Sequence, residues 1–278
     1  MPATSQNGSK ADEGKELQSG ADQRPPHSAP LVSTLVVIFR QRAELEQLIE
    51  NLAAFRSPDL EVIIIDGGSN DGSLELLQAR SHDIDFWLSE KDSGIFDAMN
   101  KAIAHARGRF VIHINAGDRL LEVPYEQLRT AGDDVAAVAG SIVTERGTVY
   151  RPDAGSRLKR TCSIHHQATF YRRSAHLGYD PSFRMAGDFD HNQRMKLAGL
   201  KFEPSNAIVS LHREGGISDD PQFFREHIRC IKKNFGFWQV VLYKWSRSRG
   251  VRLLRHAFKV GPAAVYRSAK RRLLERMR

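Results

Sequence analysis

Short β-branched or aromatic runs alternate with helical segments across residues 31–115, and few folds accommodate that rhythm. LVSTLVVIF (31–39), EVIII (61–65), IDFWLS (84–89) and RFVIHIN (109–115) read as strands. Between them, AELEQLIENLAAF (43–55) has helical periodicity through Leu45, Leu48, Ile49 and Leu52, and LELLQAR (74–80) and SGIFDAMNKAIAHA (93–106) read as two further helices. The connections are short, which predicts repeated βαβ units and a mostly parallel, Rossmann-like α/β sheet flanked by helices. Within it, IIIDGGSNDGS (63–73) reads as a strand buried on both faces that ends at Asp66 and is followed by turn-forming residues. Asp66 therefore sits where open α/β sheets bind ligands, beyond the carboxyl ends of the strands. Asp71 or Asn70 can cap the helix that begins near Ser73, but Asp66 lies too early for that role. No GxGxxG follows the first strand, so the dinucleotide fingerprint is absent.

After Asp118 the rhythm changes. VAAVAGSIV (135–143), GTVYR (147–151) and HQATFYRR (166–173) read as strands without helices between them, predicting a mixed or antiparallel second half. FDHNQRMKLAG (189–199) reads as a helix and NAIVSLH (206–212) as a final strand. Residues 1–30 have the composition of a disordered leader, 31–220 form the main domain, and 221–278 form a basic tail. The net charge of +8 belongs to that tail, which has 16 Lys and Arg against two acids, Glu226 and Glu275. Residues 1–220 carry 25 basic and 31 acidic side chains. Segments 223–250 and 251–277 interleave aromatic and aliphatic residues with Lys and Arg at helical spacing, as in Val251, Leu254 and Phe258. This predicts amphipathic helices that seat on an anionic membrane surface, where each basic residue contributes about 1 kcal/mol, rather than on nucleic acid. The bland alternative is that they pack on the main domain with their charges in water.

No apolar run reaches the roughly 18 to 20 residues of a spanning helix, and the polar N-terminus has no signal-peptide core. The expected location is cytoplasmic, peripheral on the inner face of the membrane. Cys162 and Cys230 have neither the number nor the spacing of a disulfide framework or zinc site.

Acidic residues fall at several predicted ligand-facing ends. Asp66 ends the second strand; Asp92 precedes a glycine-containing helix start with Asp97, Asn100 and Lys101 beyond it; NAGD (115–118) ends the fourth strand; AGDFD (186–190) opens a helix with Asp188 and Asp190. Singly, Asp92 reads as a cap, Asp118 as a turn residue and Asp188 as a first-turn carboxylate. Their recurrence points to a site that handles nucleotides.

The order VVIFRQR, IIIDGGSNDGS, SEKDSGIFDAMNKAIAHARGRFVIHINAGD, HHQATFYRR, MAGDFDHNQRM and GGIS resembles a family 2 glycosyltransferase of the GT-A fold. The resemblance is to the bacterial branch that builds capsule, O-antigen and exopolysaccharide units. It spans roughly residues 33–218 and is most distinctive over 63–118. It implies an inverting, metal-dependent transfer of a sugar from a nucleotide-diphosphate donor to a hydroxyl of a lipid-linked oligosaccharide. UDP is the favoured carrier, with GDP and dTDP left open. By the same resemblance Asp66 bonds the base, Phe39 and Arg40 line base and ribose, and Asp92 and Gly94 position ribose or phosphate. Asn115 and Asp118 stand at the Asp-x-Asp position, in a variant that leaves Asp118 to hold Mn²⁺ or Mg²⁺ with the substrate's phosphates, and His212 is a candidate further ligand. His166 becomes a polar contact near the sugar. Asp188 matches the catalytic base, although Gly187 replaces the acid that usually precedes it, and Asp190 is its rival, about 200° around the helix.

His113 is expected between sheet and helix; Arg172 and Arg173 meet phosphate or end a solvated strand. A sugar nucleotidyltransferase would need a glycine-rich basic loop after the first strand, where RQRAEL has no glycine. A non-enzymatic basic membrane- or nucleic-acid-binding protein would not need Asp66, Asp118 and Asp188 at ligand-facing ends.

Overall fold

The structure, a computed structural model, describes residues 18–20, 22, 29–213 and 221–246. Segments 215–218 and 251–277, singled out above, lie outside the described residues, as does most of the leader.

The chain enters with a two-residue strand, β1 (Gln18–Ser19), and then alternates as expected. Strand β2 (Val32–Ile38) leads through α1 (Arg42–Ala53) to β3 (Leu60–Asp66), then through α2 (Ser73–Ala79) to β4 (Phe86–Ser89) and through α3 (Ile95–His105) to β5 (Phe110–His113). After β6 (Arg119–Leu120) and α4 (Tyr125–Thr130) come β7 (Val135–Thr144), β8 (Val149–Tyr150) and β9 (Thr169–Arg172). Helix α5 (Gly187–Leu197), β10 (Lys201–His212), α6 (Pro221–Phe235) and α7 (Phe237–Ser246) complete the described chain.

One sheet runs β1-β4-β3-β2-β5-β9-β7-β10-β6, with β8 paired to β7. The four strands β4, β3, β2 and β5 are parallel. Strand β9 is antiparallel to both β5 and β7, while β10 runs parallel to β7. The second half is thus mixed.

Strands β2 and β3 are buried along their whole length because helices cover both faces. Side chains of period two divide between two cores. Val36, Ile38, Val62 and Ile64 meet Leu45, Leu48, Ile49 and Leu77 from α1 and α2. Leu35, Val37, Ile63 and Ile65 join Phe96, Met99 and Ala102 from α3. Burial of each such side chain contributes about 1.5–3 kcal/mol, and it fixes the register that brings Asp66 to the strand's end.

Four local readings change. Part of the leader is ordered as β1, which occupies the edge of β4, where unpaired backbone groups would otherwise face outward. Strand β10 begins at Lys201 rather than 206, since pairing with β7 extends it over polar residues. His166 lies in a single 3₁₀ turn ahead of β9, not in a strand. Helices α6 and α7 do not stand apart: Cys230, Ile231, Val240 and Tyr243 share a core with Phe183, Phe189 and Met195.

Beneath the sheet's carboxyl end lies a set of buried aromatic rings. His176 and His191 stack with centroids 4.1 Å apart, and Tyr179 lies 5.4 Å from His113. Both ring nitrogens of His113 and of His191 are buried without hydrogen-bond partners. Burial holds all three histidines neutral, with His176 pushed down to about 3 and His113 and His191 well below the ordinary value. An unfolded chain binds protons at these positions from about pH 6.5 downward. Stability is therefore complete above that pH and declines as pH falls toward the folded values, by about 1.4 kcal/mol per histidine at pH 5.5. Thermal melts at pH 7.5 and 5.5 should show a clear drop in Tm, and His191→Phe should flatten the dependence by about one proton; a pH-independent Tm would contradict the assignment.

Candidate active site

The crevice beyond β2, β3 and β4 is built around Asp66. Its carboxylate has no exposed surface and accepts hydrogen bonds from the Ser69 N–H, the Ser69 hydroxyl at 2.5 Å and the Ser89 hydroxyl at 2.6 Å. Ser69 Oγ in turn accepts the Arg40 N–H at 2.8 Å. Asp66 is thereby turned inward, with both carboxylate oxygens held by Ser69 and Ser89 at the crevice floor. Asp71 stands one residue before Gly72, the N-cap of α2, and accepts from the Ser73 N–H and hydroxyl and from the Arg42 N–H.

Above that floor three residues expected at the nucleotide gather. A Cβ added at Gly67 would fall 2.5 Å from Asp92 Oδ2 and 3.4 Å from the Phe39 ring, so both side chains close on this glycine. Phe39 is half exposed and the Arg40 guanidinium lies 4.9 Å from its ring centroid, with the Arg40 backbone at φ 55°. Asp92 Oδ1 accepts the Gly94 N–H at 2.9 Å just before α3. Burial, together with the charges of Asp97 and Asp66, raises the Asp92 carboxyl above its ordinary value against the pull of Gly94 and Lys101. Arg184, not flagged in the sequence, brings its guanidinium to 3.9 Å from where a Gly94 Cβ would sit.

The segment Asn115–Asp118 forms a tight turn, with the Asp118 N–H donating to the Asn115 carbonyl and Gly117 at φ 99°, a conformation that favours glycine. Asp118 Oδ1 accepts from Arg213 N–H at 2.9 Å and lies 3.0 Å from His212 Nδ1. Asp118 Oδ2 is buried with no partner, an unspent acceptor of the kind a cation would complete. His212 spends Nδ1 on Asp118, so its placement is that of a residue orienting the carboxylate, and a direct metal bond would have to come from Nε2. Among the described residues no three His, Cys, Asp or Glu side chains are arranged to hold a metal ion. The residues present fit Mn²⁺ or Mg²⁺ only as a site completed by substrate oxygens.

Asp188 lies in the first turn of α5 with its side chain 14% exposed. His166 Nδ1 donates to Asp188 Oδ2 at 3.0 Å, and His166 Nε2 faces Asn115 Nδ2 at 3.2 Å, which fixes the Nδ1–H tautomer. The turn at the end of β5 is thus wired to α5 through one imidazole. Burial alone would raise the Asp188 carboxyl, but the His166 bond, the Phe189 N–H and His165 together hold it below its ordinary value, so it stays ionised. Asp190 is fully buried and engaged by Arg194 at 2.7 Å, Asn234 at 3.0 Å and Lys233 at 3.1 Å. Its carboxylate is thus taken up by ion pairs and a hydrogen bond, whereas that of Asp188 is partly accessible. Gly187 is favoured by close approach: a Cβ there would meet the Phe96 ring at 2.7 Å, so an acidic side chain before Asp188 would force that ring to shift.

A second residue outside the sequence reading supports this loop. The buried Glu226 of α6 accepts the consecutive N–H groups of Arg184, Met185 and Ala186 at 2.8–3.1 Å, immediately ahead of Gly187. Its position in a basic tail hid it. Arg172 and Arg173, by contrast, take no place in the crevice: Arg172 caps the carbonyls of Val135 and Gly132, and Arg173 that of Gly108.

The family model described as Glycosyl transferase family 2 matches residues 33–189, which include the crevice, the Asn115–Asp118 turn and Asp188. The chain belongs to glycosyl transferase family 2. It is 26% identical over 246 residues to a PGL/p-HBAD biosynthesis glycosyltransferase of Mycobacterium tuberculosis, covering 79% of this chain and 93% of that relative. Its fold is that of solved GT-A enzymes. The S. aureus TarS 1–349 structure in complex with UDP superposes with a TM-score of 0.57 at 16% identity, covering 73% of this chain and 64% of that one. The mannosyltransferase PcManGT from Pyrobaculum calidifontis, in complex with GDP-Man and Mn²⁺, superposes with a TM-score of 0.51 at 16% identity, covering 92% and 90%. Family membership sets aside the nucleotidyltransferase and non-enzymatic readings.

In this family 2 transferase Glu226 should act as a positioning residue. Glu226→Gln turns one acceptor into a donor facing backbone N–H groups, at a cost of about 1–3 kcal/mol. The expected result is a lower Tm and a reduced kcat, with the dissociation constant for donor nucleotide little changed; equal losses in binding and turnover would assign Glu226 to general packing.

Proposed function

We propose that this chain catalyses an inverting transfer of a sugar from a nucleotide-diphosphate donor, with UDP as the favoured carrier, to a hydroxyl of a lipid-linked oligosaccharide in surface polysaccharide biosynthesis. The observation that carries the reading is the state of Asp188: an ionised, partly accessible carboxylate braced by His166, while its neighbour Asp190 is locked into ion pairs.

In the proposed step the acceptor hydroxyl attacks the anomeric carbon from the side opposite the leaving diphosphate, and Asp188 takes the hydroxyl proton as the bond forms. His166 holds the carboxylate at a fixed angle, and its link to Asn115 ties the base to the turn beneath the diphosphate. Phe39 and the Arg40 backbone flank the base and ribose, Asp92 is the carboxylate available to a nucleotide N–H or ribose hydroxyl, and the Gly94 end of α3 faces phosphate with Arg184 beside it. Asp66 contributes by fixing Ser69 and Ser89 under that pocket. Asp118 would hold Mn²⁺ or Mg²⁺ with His212 behind it, and the cation, when bound, balances charge developing on the diphosphate. The presence of UDP and of GDP-Man in structures sharing this fold supports a nucleotide-diphosphate donor and leaves the carrier to experiment.

Asp188→Asn keeps the shape of the side chain and removes its basicity. Turnover, followed as nucleoside diphosphate released from a panel of UDP-sugars in the presence of acceptor, should fall by roughly 10²–10⁴-fold. Donor binding should persist. Full activity in that variant would remove Asp188 from the mechanism.

A further inference from the structure

Helix α7 has two apolar sides, and only one is used by the fold. Val240 and Tyr243, 6% and 3% exposed, pack inward against α6 and the core. Phe237, Trp238, Val241, Leu242 and Trp245 are 63%, 75%, 38%, 43% and 68% exposed. At about 100° per residue these five occupy a continuous arc of roughly 140°, opposite the inward pair. Single exposed apolar residues are ordinary, whereas a contiguous face with two tryptophans marks a contact surface.

The charge around this face selects its occupant. Arg225, Arg229, Lys232 and Lys244 are exposed on α6 and α7, and the one acid of these two helices, Glu226, is buried against the loop before Asp188. Residues 247–278 add eleven Lys and Arg against Glu275 alone. A second copy of the chain docked here about a twofold axis would bring like charges together with no exposed acid from these helices to meet them. An anionic bilayer satisfies both features, since indole rings favour the headgroup boundary and Lys and Arg meet lipid phosphate.

The face is also coupled to the catalytic loop. Tyr243 on the inward side of α7 stacks on His227 at 4.9 Å, and His227 stacks on Phe189 at 4.2 Å, the residue next to Asp188. We infer that the Phe237–Trp245 face of α7 is an interfacial docking surface for an anionic lipid bilayer, which holds the catalytic loop near the plane in which a lipid-linked acceptor moves. The purpose assigned to the surface rests on the proposed function; the binding itself does not.

The test uses the full chain with vesicles of phosphatidylglycerol and phosphatidylcholine, against phosphatidylcholine alone. Trp87 is buried, so a change in tryptophan emission on binding reports Trp238 and Trp245. Co-sedimentation with the anionic vesicles and a blue shift of emission are expected. The triple variant Trp238→Ser, Leu242→Ser, Trp245→Ser should bind them roughly tenfold or more weakly while its affinity for UDP is unchanged. The inference is overturned if the wild-type chain stays in the supernatant, if the triple variant binds as well as wild type, or if sedimentation velocity shows a wild-type dimer that the triple variant dissolves. Vesicle binding in a chain that transfers no sugar would leave this surface standing and count against the proposed reaction alone.

Discussion

The crevice depends on a carboxylate that never reaches solvent. Asp66 ends β3 and gathers hydrogen bonds from the turn after its own strand and from Ser89 at the end of the neighbouring strand, while Ser69 passes the connection on to Arg40 beyond β2. Burying a charged group without partners costs several kcal/mol, so the same bonds that satisfy Asp66 lock three strand ends into one rigid edge. Phe39, Gly67 and Asp92 then have fixed places above it.

The surroundings of Asp188 are organised by comparably few links. One imidazole joins the Asn115–Asp118 turn to Asp188, so a single residue from the segment before β9 connects the end of β5 with the first turn of α5. Glu226 fixes the backbone ahead of α5 through three N–H groups, and Asp190, Arg194, Lys233 and Asn234 hold the helix from its far side. Helix α6 is therefore packed into the main domain at the loop before Asp188, not appended to it.

Much of this was legible in the chain. The β-branched-rich runs of β2 and β3 and the helical spacing of Leu45, Leu48, Ile49 and Leu52 mark the parallel half, because strands covered on both faces read as continuous apolar runs between amphipathic helices. Asp118 and Asp188 stand where their segments placed them. What the sequence hid were pairings across long separations. Nothing near Asp66 announces Ser89, and nothing near Arg172 announces the carbonyls of Val135 and Gly132 that draw it inward. Glu226 looked like a stray acid in a basic tail until α6 folded back onto the loop before Asp188. The missing acid at position 187 likewise has its reason in a ring, Phe96, ninety-one residues away in the chain.

In the proposed reading this crevice takes a nucleotide diphosphate, and the buried, unspent carboxylate oxygen of Asp118 is completed by a divalent cation and phosphate together. Calorimetry of UDP binding to the wild-type chain, with and without Mn²⁺, tests it most directly. Mn²⁺ alone should bind weakly, and its presence should tighten UDP by about tenfold or more. UDP affinity indifferent to Mn²⁺, or no binding of UDP, GDP or dTDP in either condition, would contradict the account.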